Sequence, residues 1–204
     1  MVVAFDLDDT LVPERRFLES AVVELGRRHS VRQRLLPSET FAEYLDYVGI
    51  NVSTLIEEYR SHSPQWLPLP WQSVYTLETL KKRGANLYLV TDGRSHSQRA
   101  KINALRLSRW FPPENIYISE EVGESKTTGR TFREIAARHL GEQLWMIGDN
   151  PEKDFLAAAR EGFKTVCLLD SGTNIHPQSL DDYEHEYHSQ FLVRNLTELP
   201  DLML

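Results

Sequence analysis

Residues 2–11 read VVAFDLDDTL: a four-residue apolar run that stops at Asp6, with Asp8, Asp9 and Thr10 close behind. A short run without polar alternation reads as a strand buried on both faces. The same pattern returns at LYLV (87–90), IYIS (116–119), LWMI (144–147), TVCLL (165–169) and FLV (191–193). Amphipathic segments near 72–83, 95–106, 128–139 and 152–161 lie between these runs. Strands alternating with helices predict a doubly wound α/β fold on a parallel sheet. Three of the helices are expected to end alike, with LKKR before Gly84, ARHL before Gly141 and RE before Gly162. Basic residues there meet the negative end of the helix dipole, and glycine takes the left-handed cap.

Residues 14–71 break the rhythm. RFLESAVVELGRRH, SETFAEYLDYVG and VSTLIEEYRSH carry apolar residues at helical spacing, as in Phe41, Leu45 and Val48. The stretch closes on SPQWLPLPW (63–71), whose three prolines suit a linker. The reading is an α/β core of residues 1–13 and 72–204 carrying a small helical cap of residues 14–71.

The 204 residues are enough to bury a core without disulfides. A net charge of −7 argues against a nucleic-acid partner, which requires a basic face. Cys167 is the only cysteine, so no intrachain disulfide forms and a reducing compartment is expected. The N-terminus has no basic leader, and no apolar stretch approaches the roughly 20 residues that span a bilayer. These features predict a cytoplasmic protein, monomer or weak homodimer, with no membrane partner.

The chemistry is concentrated just after the apolar runs. VVAF leads into Asp6, LYLV into Thr91, Asp92 and Gly93, and LWMI into Gly148, Asp149 and Asn150. Open parallel sheets bind ligands at the carboxyl ends of their strands, so these residues converge on one edge. Asp6 and Asp149 there can share one hard cation, with magnesium the natural choice for oxygen ligands and phosphate. With the cation lowering charge repulsion, Asp6 can attack phosphorus as a covalent nucleophile. Asp8 can then face the leaving-group oxygen as a general acid. Thr91 and the backbone N–H groups of Asp92 and Gly93 can hold phosphate oxygens. Lys126, in GESKTTGRTF, is the candidate to neutralise the remaining charge.

These residues resemble the haloacid dehalogenase-like superfamily. FDLDDTL resembles its first motif, LVTDGR the second, the Lys126 segment the third and WMIGDNPEKDFLAAAREG the fourth. The resemblance implies Asp6 as nucleophile, Asp8 as acid/base and as a metal ligand through its backbone carbonyl, and Thr91 on the phosphoryl group. It further implies Asp149 as a metal ligand, Asp154 as support for the metal water or Lys126, and a substrate-selecting helical cap. Two positions depart from the pattern. Lys126 is followed by Thr127-Thr128-Gly129 where Pro-x-Pro is common, and Asp92 stands where asparagine is common. Asp92 is expected to turn away from the phosphate or pair with Arg94 or another cation.

The expected reaction is hydrolysis of a small phosphorylated metabolite, a sugar phosphate first, through an aspartyl-phosphate. A phosphomutase of the same superfamily and an idle phosphate-binding module are the alternatives. His96 and the His185–His188 pair read as surface, and Trp66, Trp71, Tyr44 and Tyr47 as cap core or hinge. Arg15 and Arg16, just behind the first motif, read either as contacts for a second anionic group or as a solvated helix start.

Overall fold

The structure is a computed structural model that describes residues 1–36, 39–175, 178 and 183–204. Six strands form one parallel sheet: β1 (Val2–Phe5), β2 (Asn86–Thr91), β3 (Ile116–Ile118), β4 (Leu144–Gly148), β5 (Lys164–Leu168) and β6 (Phe191–Val193). Their order is β3-β2-β1-β4-β5-β6. The order reverses between β1 and β4, and the carboxyl ends splay apart at such a switch point to leave a crevice. Register brings Phe5 level with Leu89 on one side and Ile147 on the other. The residues that follow these strands therefore meet in that crevice.

After β1 come α1 (Glu14–His29), α2 (Phe41–Val48), α3 (Val52–Ser61) and α4 (Trp71–Lys82). Beyond β2 lie α5 (Ser95–Ala104), α6 (Ser119–Val122) and α7 (Arg130–Arg138). The fourth expected helix, 152–161, is two short ones: α8 (Pro151–Asp154) and α9 (Leu156–Arg160). Phe155 interrupts them with φ −108° and ψ −50°. A last helix, α10, spans Leu199–Leu202.

Strand side chains alternate between two cores. Val3, Phe5, Leu87, Leu89, Trp145 and Ile147 pack on one face with Leu77 and Leu80 of α4 and Ile102 of α5. Val2, Ala4, Tyr88, Val90 and Met146 pack on the other with Phe132 and Ile135 of α7. A third cluster joins Leu18, Val22 and Leu25 of α1 to Tyr44 and Leu45 of α2 and Leu55 of α3. Phe17 and Leu67 belong to the first core, so they tie this helical group to the sheet. The start of α2 is fixed by a reciprocal capping box between Thr40 and Glu43. Gly84 and Gly162 directly follow the caps of α4 and α9 with φ of 79° and 87°, whereas α7 stops earlier, at Arg138, and Gly141 (φ 81°) lies in the loop beyond it.

Tyr44 is fully buried between α1, α2 and α3. Tyr47, at 58% exposed, is not a core residue, and Trp66 and Trp71, 60% and 66% exposed, stand in the proline-rich stretch 63–71. The helices here are short, and one buried stripe on each, centred on Tyr44 and Leu55, already fills the space between them. No helix among the described residues is long and apolar enough to cross a membrane.

Candidate active site

The chain leaves β1 in a tight loop rather than continuing as a strand. Leu11 and Val12 donate backbone hydrogen bonds to the Leu7 carbonyl, and Asp9 donates to that of Val12. Asp9 takes φ 56°, a left-handed conformation that aspartate tolerates better than bulky residues. Its carboxylate accepts the Glu14 N–H at 2.8 Å, anchoring the first turn of α1 to the loop. Asp6 and Asp8 thereby point to different partners although only one residue separates them.

Asp6 faces Lys126. The Lys126 ammonium lies 2.8 Å from Asp6 Oδ1 and 2.5 Å from Asp154 Oδ1, with all three side chains buried. Lys126 opens a short 3-10 turn (126–128) closed by Gly129 at φ 76°. Burial alone lowers a lysine pKa, but Asp154 and Asp6 outweigh it and raise the ammonium well above its usual range. Asp154 Oδ2 accepts the Asn150 N–H at 2.9 Å, so both of its oxygens are engaged.

Asp6, Asp149 and Asp154 offer oxygens that lie within 4.8 Å of one another. Burial pushes the Asp6 carboxyl up to about 7, against the pull of Lys126. Asp149 is pushed up to about 8 by burial first, and then by repulsion from Asp6 and Asp154. Three carboxylates around one ammonium leave two negative charges uncompensated, and the donors are hard oxygens. That donor set fits a divalent magnesium ion. With Asp154 committed to Lys126 and Asn150, Asp6 and Asp149 are the side chains that can ligate it directly. Thr10 Oγ1 donates to Asp149 Oδ1 at 3.3 Å and Asn174 Nδ2 to Asp149 Oδ2 at 3.1 Å, which orients that ligand.

Asp8 is held away from this cluster. Lys101 Nζ of α5 reaches both of its oxygens at 2.7 and 2.8 Å, and Gln98 Nε2 reaches Oδ2 at 3.0 Å. Gln98 also donates to the Asp92 carbonyl at 3.0 Å, tying Asp8 to the end of β2. Burial would depress the Lys101 ammonium, but Asp8 and Glu14 reverse this and raise it. Reading the motifs does not single out Gln98 or Lys101. The sequence carried a signal nonetheless: they share the buried face of α5 with Ile102, and with Leu105 just beyond its end, where apolar residues belong.

These groups open into a cleft of about 580 Å³ between the carboxyl ends of the strands and the helices of residues 14–71. Asp6, Asp8, Thr91, Lys126 and Asp149 form its floor, and Phe41, Ile56, Tyr59 and Arg60 its roof. Thr91 ends β2 as a buried residue whose side chain borders the cleft. Residues 3–168 match the haloacid dehalogenase-like hydrolases as a family. The chain belongs to that family. A glyceraldehyde 3-phosphate phosphatase of Methanopyrus kandleri is 29% identical over 81% of this chain and 82% of its own length. One from Pyrococcus furiosus is 25% identical over 99% of this chain and 91% of its own. A magnesium-bound HAD hydrolase of Bacillus subtilis shares the fold at TM-score 0.70 and 19% identity, covering 99% of this chain and 97% of that one.

In this family member several expected contacts fall elsewhere. The Gly93 N–H, expected to hold phosphate, donates to Ser119 Oγ at 2.9 Å. Asp92 does not pair with Arg94. Its carboxylate accepts the Lys126 backbone N–H at 3.0 Å and the Ser125 hydroxyl at 3.2 Å, so it braces the lysine loop. An aspartate serves there because it offers two acceptors to two donors. Arg15 bonds Glu19 and the Leu36 carbonyl, and Arg16 the Pro68 carbonyl, so neither borders the cleft. The first turn of α1 directs Arg15 to the chain beyond α1 and Arg16 to the proline-rich stretch 63–71. His96 meets the Ser61 carbonyl at the rim, and His185 and His188 are exposed, as expected.

Proposed function

We propose that this chain is a magnesium-dependent phosphatase that hydrolyses a small sugar phosphate through an aspartyl-phosphate on Asp6. The observation that carries the reading is the separation of two carboxylates on one loop. Asp6 is 2.8 Å from Lys126 in the acidic cluster, while Asp8 is fixed on Lys101. This separation supports attack on phosphorus by the one and proton transfer by the other. The names of the Methanopyrus and Pyrococcus relatives support a phosphorylated triose or a related sugar phosphate as substrate.

In the first step an Asp6 oxygen forms a bond to phosphorus, the ester P–O bond breaks, and Asp8 gives its proton to the departing alkoxide. In the second, Asp8 takes a proton from water as that water attacks the aspartyl-phosphate. Inorganic phosphate leaves and Asp6 is regenerated. Thr91 and Lys126 hold the phosphoryl oxygens, Lys126 being kept in place by Asp154. Magnesium bound by Asp6, Asp149 and the Asp8 carbonyl would offset the repulsion between carboxylate and phosphate. Residues 14–71 act as a cap on the core of residues 1–13 and 72–204, excluding water during transfer. The single cysteine, Cys167, buried beside Asp149, agrees with a cytoplasmic setting.

Carbon–halogen cleavage fits less well, because a halide leaves without a proton and Asp8 would have no task. Phosphate release with magnesium from an aryl phosphate and from triose, tetrose, pentose and hexose phosphates tests the proposal. A sugar phosphate should be the preferred substrate. No release from any of them would remove the reading.

A further inference from the structure

The floor of the cleft is acidic, but its rim is not. Arg60 on α3 and Arg94, the residue before α5, both border the cleft. Both also border a second, outer pocket of about 430 Å³ that Glu57, Ser61 and His96 complete. No carboxylate of the floor reaches that outer pocket. Several arginines of this chain end on glutamates, as Arg28 does on Glu24, Arg32 on Glu39 and Arg99 on Glu121, while others, such as Arg16 on the Pro68 carbonyl, do not. Among the described residues, Arg60 and Arg94 end on no carboxylate, although Glu57 stands beside them.

We propose that Arg60 and Arg94 form a second anion subsite, so that the substrate is a phosphomonoester carrying a further phosphate or carboxylate group. This rests on the phosphatase reading above and narrows its substrate class. The floor holds what one phosphoryl group needs: Lys126, Thr91 and the acidic cluster. Two guanidinium groups at the boundary with the outer pocket are therefore in excess of that need. A guanidinium presents paired N–H donors that match the oxygens of phosphate or carboxylate, and two of them converge on one anion. Arg60 rides on the cap and Arg94 on the core. An anion between them would bind the two parts together, and the reacting phosphoryl group would stay on the floor. His96, which meets the Ser61 carbonyl at 3.3 Å, already joins the same two parts at this rim.

The test uses matched substrates with magnesium present. Fructose 6-phosphate is compared with fructose 1,6-bisphosphate, and glycerol 3-phosphate with 3-phosphoglycerate. The first pair adds a phosphate and the second a carboxylate, so the two sources of the second anion are read separately. Wild-type protein should favour the doubly anionic member of at least one pair by about tenfold or more in kcat/KM, a difference of roughly 1.4 kcal/mol. The preference should shrink as salt rises. Arg60→Gln and Arg94→Gln should each erode that ratio, mainly through KM, and Arg60→Lys should restore part of it. Arg130→Gln, an exposed arginine held by Glu124 and Glu134 and lining neither pocket, should leave the ratio as it is. A loss of folding would reduce both members of a pair alike, so the ratio still reports on the subsite. Equal rates within both pairs, or a preference that survives both glutamine variants, would overturn the subsite and leave the phosphatase reading standing. No phosphate release from these four compounds or from an aryl phosphate would remove both.

Discussion

Lys101 Nζ lies 2.7 Å from one oxygen of Asp8 and 2.8 Å from the other, across 93 residues of sequence. The same ammonium sits 5.1 Å from the centre of the Phe17 ring and 3.5 Å from Glu14, both on α1. Helix α5 thus holds the loop carboxylate and touches the first turn of α1 through one buried charge. Lys101→Met should keep the packing and free Asp8 from its anchor. Turnover should fall by about 10- to 100-fold on an alkyl phosphate, the scale of acid–base contributions, and by less on a nitrophenyl phosphate, whose leaving group needs little protonation. Equal losses on both substrates would mean that Lys101 supports the fold rather than the position of Asp8.

The two loop carboxylates should separate by role. Asp6→Asn should abolish turnover together with tight binding of beryllium fluoride, because the attacking oxygen and the shared anchor of Lys126 go together. Asp8→Asn should retain beryllium fluoride binding and lose about 100-fold or more in turnover. An Asp6→Asn protein that still forms a phosphoenzyme would place the nucleophile elsewhere.

Acidity links the metal to stability. Asp6 and Asp149 are raised from 3.8 to about 7 and about 8 in the folded chain by burial and by neighbouring carboxylates. Between the unfolded and folded values the native state binds more protons than the unfolded one, so stability falls as pH rises through that window. Metal binding displaces those protons. The Tm of chelator-treated protein should therefore drop between about pH 5 and about pH 8, and the Tm gain from magnesium should grow over the same range. A gain that stays flat or shrinks with pH would show that these carboxyls do not hold the ion.

Much of this was readable in the sequence because a parallel sheet buried on both faces writes its strands as bare apolar runs. Phe5, Thr91 and Gly148 end such runs, and the residues after them form the floor of the cleft. The lysine loop was readable from the position of Lys126. Asp154 was named beside it from the family resemblance, but the bracing by Asp92 was not readable, because it acts through hydrogen bonds to Ser125 and to the Lys126 backbone. The break at Phe155 was hidden for a similar reason: Asp154 is turned fully inward to reach Lys126, and no local residue type signals this. The rim was the least legible part. Whether Arg15 or Arg60 meets the cleft depends on how α1 and α3 pack, and helical periodicity does not specify that.

Gly148 gives the sharpest test of how Lys126 is held. A Cβ built on it would lie 2.2 Å from Asp154 Oδ2 and 2.4 Å from Cγ. A surface side chain would swing away from such a clash. Asp154 has no such freedom, since it is fully buried with Oδ1 on Lys126 and Oδ2 on the Asn150 N–H. Gly148→Ala must displace Asp154 or bend the end of β4, and either change moves Lys126 or Asp149. Overpacking of this kind costs about 1–3 kcal/mol, which for a chain of this size lowers Tm by several degrees. The loss of activity should exceed what that destabilisation explains, falling by about 100-fold at a temperature where the variant is still fully folded. Gly84→Ala is the control: nothing lies within 4 Å of its built Cβ, and its φ of +79° carries only backbone strain. It should lose about 1–2 kcal/mol of stability and keep its turnover. If folded Gly148→Ala protein matched wild type in kcat, Lys126 would not depend on Asp154 for its place beside Asp6.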